Sequence, residues 1–130
     1  MDTKEEFFVP DEVAEWIGLK KSEYLSTLIE LSIPGDFGFE EYHQFNHLVP
    51  DTIQDPDKSF EDEADSYDLR TYVKSYSRPV LFHQVVIGIM LPDLKNKAEV
   101  LIPVLCFVSK KDEIVKRFSV GKVLSRHTLN

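Results

Sequence analysis

The amino-acid sequence predicts an α+β fold, with N-terminal helices, a mainly antiparallel β-sheet and a short C-terminal helix. Three observations carry this expectation. Residues 11–47 place apolar side chains at helical spacing, interrupted by glycine and proline. Residues 69–109 hold β-rich runs, the last two joined by the polar turn Asp93-Leu94-Lys95-Asn96-Lys97-Ala98. Residues 110–118 return to helical spacing with cations on the outer side.

Pro10-Asp11-Glu12 opens the first helix, because proline fits a first turn and acids favour the positive helix end. Val13, Trp16 and Ile17 make its apolar stripe. Gly18 is expected to break it, and Ser22 to cap a second helix that buries Leu25, Leu28 and Ile29 and stops at Pro34-Gly35. Asp36 is expected to cap a third helix, Phe37–His47, with Phe39, Tyr42 and Phe45 towards the core. The segment from Pro50 to Asp68 reads as an acidic loop, and Leu69 to Tyr76 as a strand.

The strand that starts at Pro79 puts Val80, Phe82, Val86 and Met90 on one face and Leu81, Val85, Ile87 and Ile89 on the other. Apolar residues on both faces mark a central strand. Its partner sets Val100, Ile102, Val104, Cys106 and Val108 opposite Leu101, Leu105 and Phe107. Pro103 cannot donate to a ladder, so a bulge within a covered strand is expected there. Lys110–Phe118 forms a short helix with Ile114, Val115 and Phe118 inward, and Val123-Leu124 adds an edge strand after Gly121. Residues 1–9 and 125–130 are expected to be loose ends of a single domain spanning 130 residues.

Charge is segregated. Residues 1–70 hold 5 Lys/Arg and 19 Asp/Glu, a balance of −14, whereas residues 71–130 hold 10 and 4, a balance of +6. The halves either neutralise each other or form two surfaces for different partners. A single cysteine, Cys106, rules out a disulfide within this sequence and a cysteine zinc site, and reads as a small core residue. The acidic N-terminus lacks a signal-peptide pattern, and no apolar run reaches the ~20 residues that span a bilayer. A cytoplasmic protein without a membrane partner, a metal or another cofactor is expected.

Several segments invite a functional reading. Residues 11–19 loosely resemble the first helix of excisionase-type DNA binders, but the following helix carries Glu23 and Glu30 where DNA affinity needs cations. His43 and His47 stand four apart and share one face of an α-helix, yet the intervening residues Gln44-Phe45-Asn46 lack the glutamate of a zinc-protease motif. Asp55, Asp57 and Ser59 imitate the start of a calcium loop that then fails at Phe60 and Ser66. Asp55, Asp57, Glu61, Asp62, Glu63 and Asp65 together make a candidate docking surface for a basic protein. His83 reads as a satisfied sheet residue.

Thr52-Ile53-Gln54-Asp55-Pro56-Asp57, an acidic spacer, then Thr71-Tyr72-Val73-Lys74-Ser75-Tyr76 and two hydrophobic strands resemble phage-associated domains of the barnase–EndoU–colicin–RelE superfamily, over about residues 37–124. The resemblance implies N-terminal helices before an antiparallel sheet, and descent from metal-independent ribonucleases. Such chemistry needs an acid–base pair and cations for phosphate. His43 and His47 are the candidates for the first role, and Lys74, Arg78 and Arg117 for the second.

The leading expectation is a non-enzymatic interaction protein of the immunity, antitoxin, chaperone or adaptor type, whose acidic segment binds a basic partner. A metal-independent ribonuclease or RNA-binding domain is the alternative. A homodimer is expected if apolar surface stays exposed on the sheet.

Overall fold

The computed structural model describes residues 9–78, 80–93 and 95–126, with the side chains of Ser125 and Arg126 outside that description. The expected loose residues 1–8 and 127–130, and Pro79 and Leu94 of the expected strand start and turn, therefore lie outside the described residues. The chain runs as α1 (Asp11–Glu30), a 3-10 helix η1 (Phe39–Leu48), α2 (Val49–Gln54), β1 (Lys58–Ala64), β2 (Tyr67–Tyr76), β3 (Phe82–Asp93), β4 (Ala98–Ser109), α3 (Asp112–Phe118) and β5 (Lys122–Arg126). This is the α+β architecture expected.

The five strands form one sheet in the order β4-β3-β2-β1-β5, with every neighbouring pair antiparallel. β3 is interior, and its run from Val85 to Ile89 is buried on both faces, as its two-sided apolar pattern requires. On one face Leu69, Val73, Val85, Ile87, Ile89 and Phe107 pack with Val13 and Leu28 of α1 and Ile114, Val115 and Phe118 of α3. Phe107 is fully buried, its ring 5.0 Å from Phe118 and 6.1 Å from Tyr42. On the other face Phe82 is enclosed by Tyr76, Phe37 and Phe45, with centroids 5.6, 5.7 and 5.0 Å away. Burying one such ring stabilises the fold by ~1.5–3 kcal/mol.

Several expectations change. Gly18 does not break the first helix: α1 is continuous from Asp11 to Glu30, so there is no helix-turn-helix. Gly18 lies on the exposed side with open space around it, and its ~1 kcal/mol helix penalty is smaller than what the packed face recovers. The third helix is η1, and Asp36 does not cap it. Asp36 instead accepts from Ser109 Oγ (2.6 Å) and the Lys110 backbone N–H (2.7 Å), tying the chain after α1 to the end of β4. The Gly38 N–H donates to Glu41 Oε1 at 2.8 Å and opens η1.

The expected loop from Pro50 to Asp68 contains α2 and all of β1. β1 is an interior strand, paired with β2 on one side and β5 on the other, and it buries Ser59 and Phe60. The bulge near Pro103 is present, but its strand is outermost in the sheet. The register steps from Ile87↔Leu105 to Gly88↔Pro103, so Val104 is the extra residue. That step moves Val100 and Ile102 onto the face of Leu105 and Phe107, away from Cys106 and Val108. Gly88 is required at the step, because a Cβ there would lie 2.7 Å from the Ile102 carbonyl oxygen. The short C-terminal helix buries Ile114, Val115 and Phe118 as expected, and β5 is the expected edge strand. It runs on through Ser125 and Arg126, which pair with Ser59 and Lys58 instead of being loose, and Val9 packs against the core.

Candidate functional site

The acidic segment is a built hairpin rather than a loop. β1 and β2 pair without slip from Lys58↔Val73 to Ala64↔Tyr67 and are joined by Asp65-Ser66 alone. The type I′ hairpin turn, which follows strand twist, needs positive φ at both central residues, and here φ is +53° at Asp65 and +74° at Ser66. Neither is glycine, so the turn needs outside support. Trp16 of α1 supplies it: its indole Nε1–H donates to Asp65 Oδ2 at 2.8 Å, and its ring meets Tyr67 at 4.7 Å.

A second clamp spans the first to the third residue pairs inward from the Ala64↔Tyr67 pair. The Arg70 guanidinium forks onto Asp68, with Nε 2.8 Å from Oδ1 and Nη2 2.9 Å from Oδ2, and also reaches Glu61 Oε2 at 3.3 Å. These hydrogen bonds, Asp68 first, hold Arg70 well above the usual arginine range, so it stays charged throughout. A shallow groove at the tip is lined by Glu61, Asp62, Glu63, Ser66, Tyr67, Asp68 and Lys122. Asp62 and Glu63 are exposed there.

The six acids expected to form one surface fall into two groups. Glu61, Asp62, Glu63 and Asp65 crowd the hairpin tip. Asp55 and Asp57 lie at the far end of β1, about 20 Å away at the rise of an extended strand. There Asp55 Oδ2 accepts from Lys74 Nζ at 3.1 Å, and Asp57 Oδ2 accepts from the Ser75 backbone N–H at 2.7 Å. Both carboxylates are thus engaged by groups of β2. Among the described residues no group of three or more His, Cys, Asp or Glu is placed to hold a metal ion.

The residues expected for RNA cleavage are not brought together. His43 and His47 are exposed on η1, and a 3-10 helix repeats every 3 residues, so side chains four apart no longer share a face. Lys74 lies on the sheet face opposite Val73 and is held by the Asp55 carboxylate and carbonyl; that hydrogen bonding raises its pKa. Arg117 is exposed on α3, which packs on the Val73 face, so the sheet separates the two cations. Arg78 lines a groove at the end of β2 with Leu48, Ser75, Tyr76, Ser77 and Phe82.

Sequence reasoning missed one constellation. Ser75, His83 and Ser109 stand side by side across β2, β3 and β4. Ser75 Oγ lies 2.8 Å from His83 Nδ1, and His83 Nε2 lies 2.9 Å from Asp112 Oδ1 at the start of α3. The three residues are 8 and 29 positions apart. Strand register sets Ser75 beside His83 and the packing of α3 on the sheet brings Asp112, so no linear motif signals them.

No helix among the described residues is long and apolar enough to cross a membrane. Comparison with protein-family models, with curated proteins and with solved structures finds no match.

Proposed function

We propose that this chain is an interaction module that presents the tip of its β1–β2 hairpin to a basic surface on a partner protein, in the manner of an immunity protein, antitoxin, chaperone or adaptor. One observation supports this reading above the others. The hairpin tip is fixed from two sides, by Trp16 on Asp65 and by Arg70 on Asp68 and Glu61, while Asp62 and Glu63 are exposed. Five carboxylates, Glu61, Asp62, Glu63, Asp65 and Asp68, gather there against the cations Arg70 and Lys122. A surface ordered before the encounter loses less freedom on binding than a loop does, and complementary charge speeds association.

The ribonuclease-like reading has less support, because His43, His47, Lys74 and Arg117 do not line one cleft. The discriminating experiment is affinity capture from the native cell at low and then moderate salt, with wild type beside Asp62→Asn/Glu63→Gln. These substitutions remove charge at two exposed positions and leave the internal clamps in place. A basic protein held by wild type, lost as salt rises and weakened by the double variant, supports the proposal. Equal capture by both chains removes the hairpin tip from it, and RNA recovered in its place favours the rival.

A further inference from the structure

We infer that Ser75 is a base-activated nucleophile that accepts acyl groups from small carboxylic esters, with His83 as its base and Asp112 orienting the imidazole. This activity lies at the opposite end of β2 from the hairpin tip and does not depend on the partner-binding reading. Three features carry it. The hydroxyl, imidazole and carboxylate form one chain of contacts, 2.8 Å from Ser75 Oγ to Nδ1 and 2.9 Å from Nε2 to Asp112 Oδ1. Ser75 is exposed, and it lines the groove shared with Leu48, Tyr76, Ser77, Arg78 and Phe82. The imidazole itself is only 12% exposed, sheltered where α3 meets the sheet.

The tautomer follows from the partners. A carboxylate at Nε2 can only accept, so the neutral ring carries its proton on Nε2 and offers the Nδ1 lone pair to the serine hydroxyl. The ring nitrogens are exchanged relative to the chymotrypsin arrangement, but the roles of base and orienter are unchanged. In the reaction Ser75 Oγ bonds to the ester carbonyl carbon while Nδ1 takes the hydroxyl proton. The carbon–oxygen bond to the alcohol then breaks, and the leaving oxygen takes the proton from Nδ1. Water, deprotonated by the same nitrogen, releases the carboxylic acid and restores Ser75. Arg78 is the cation on this groove and is assigned to the carbonyl oxygen as it becomes negative. Tyr76 and Phe82 turn to the opposite face of the sheet from Ser75, so the ester is met at the open end of the strand rather than in an apolar pocket. Asp112 is 76% exposed, so water screens its hold on the ring and the serine is a modest nucleophile.

The test uses the full chain and a fluorophosphonate probe, which a reactive serine displaces at phosphorus with loss of fluoride. Intact mass should rise by one adduct, with fragmentation placing it on Ser75, and Ser75→Ala should abolish it. Labelling should slow by about 100-fold in His83→Gln and roughly 10-fold in Asp112→Asn. His83 is sheltered, so a thermal melt accompanies each variant, and the exposed Asp112 position decides the matter if His83→Gln fails to fold. A chain left unmodified by the probe, an adduct that survives Ser75→Ala, or a rate indifferent to Asp112→Asn would each overturn the inference.

Discussion

Replacing Arg70 with methionine separates the two roles assigned to the hairpin, stability and charge presentation. Methionine keeps most of the apolar stem and removes the guanidinium, so lost packing contributes little. The deleted contacts are the fork on Asp68 at 2.8 and 2.9 Å and the longer reach to Glu61 at 3.3 Å. Arg70, Asp68 and Glu61 side chains are 21%, 31% and 38% exposed, so each pair is partly screened. Exposed pairs contribute ~0.2–1 kcal/mol, with the forked geometry at the upper end, and the two freed carboxylates then repel. A loss of about 1–2 kcal/mol follows, or about 4–7 °C in Tm for a chain of this size. Urea unfolding in 50 mM and 1 M NaCl measures it. The deficit should shrink at high salt, where the screening length falls to about 3 Å. An unchanged midpoint at low salt would refute the clamp, and a deficit of equal size in 1 M salt would show that packing, not charge, was lost.

Other consequences are equally specific. Gly121→Ala should destabilise by about 1–3 kcal/mol, because φ is +99° and the new Cβ would strike the Glu61 carbonyl oxygen; a thermal melt reads the loss. Phe107→Ala should cost about 3–5 kcal/mol in denaturant unfolding, the usual range for a fully enclosed ring. Burial pushes the Tyr24 and Tyr42 hydroxyls up to about 12, against 10.0 when exposed. Between those values the unfolded chain loses protons that the folded chain keeps, so stability should fall as pH rises from 10 to 12. Burial also raises Tyr76, so ultraviolet titration should show late-ionising tyrosines that include Tyr24 and Tyr42, with one late step removed by Tyr24→Phe and another by Tyr42→Phe.

The fold was legible where burial leaves a pattern. The two-sided apolar run of β3, the inward trio Ile114, Val115 and Phe118, and the proline-marked bulge could all be read from side-chain type and spacing. Position of the bulged strand could not, because apolar character says nothing about which neighbour a strand has; β4 is outermost. The acidic strand β1 was hidden for the opposite reason. Lys58-Ser59-Phe60-Glu61-Asp62-Glu63-Ala64 has poor intrinsic β preference, and pairing with β2 and β5 decides its state. Gly18 misled because propensity was weighed without the tertiary face that overrides it.

The candidate sites were legible in unequal measure. The hairpin acids announce themselves as a charge run, but their division into a tip group and the Asp55–Asp57 group needs the strand length. Trp16 and Arg70, which fix the tip, lie outside that run and gave no local signal. His43 and His47 attracted notice by helical spacing that η1 does not have. His83 was read only as a satisfied sheet residue, and Ser75 and Asp112 gave no signal as its partners, since strand register sets Ser75 beside it and the packing of α3 brings Asp112.

The central claim is that the hairpin tip steers a basic partner by charge. Its most direct test is the association rate of the captured partner over a range of ionic strength, measured by stopped flow for wild type and for Asp62→Asn/Glu63→Gln. The wild-type rate should fall steeply with salt, and the double variant should be slower at low salt with a flatter dependence, the two converging as screening becomes complete. Superimposable salt profiles for the two proteins would contradict the account.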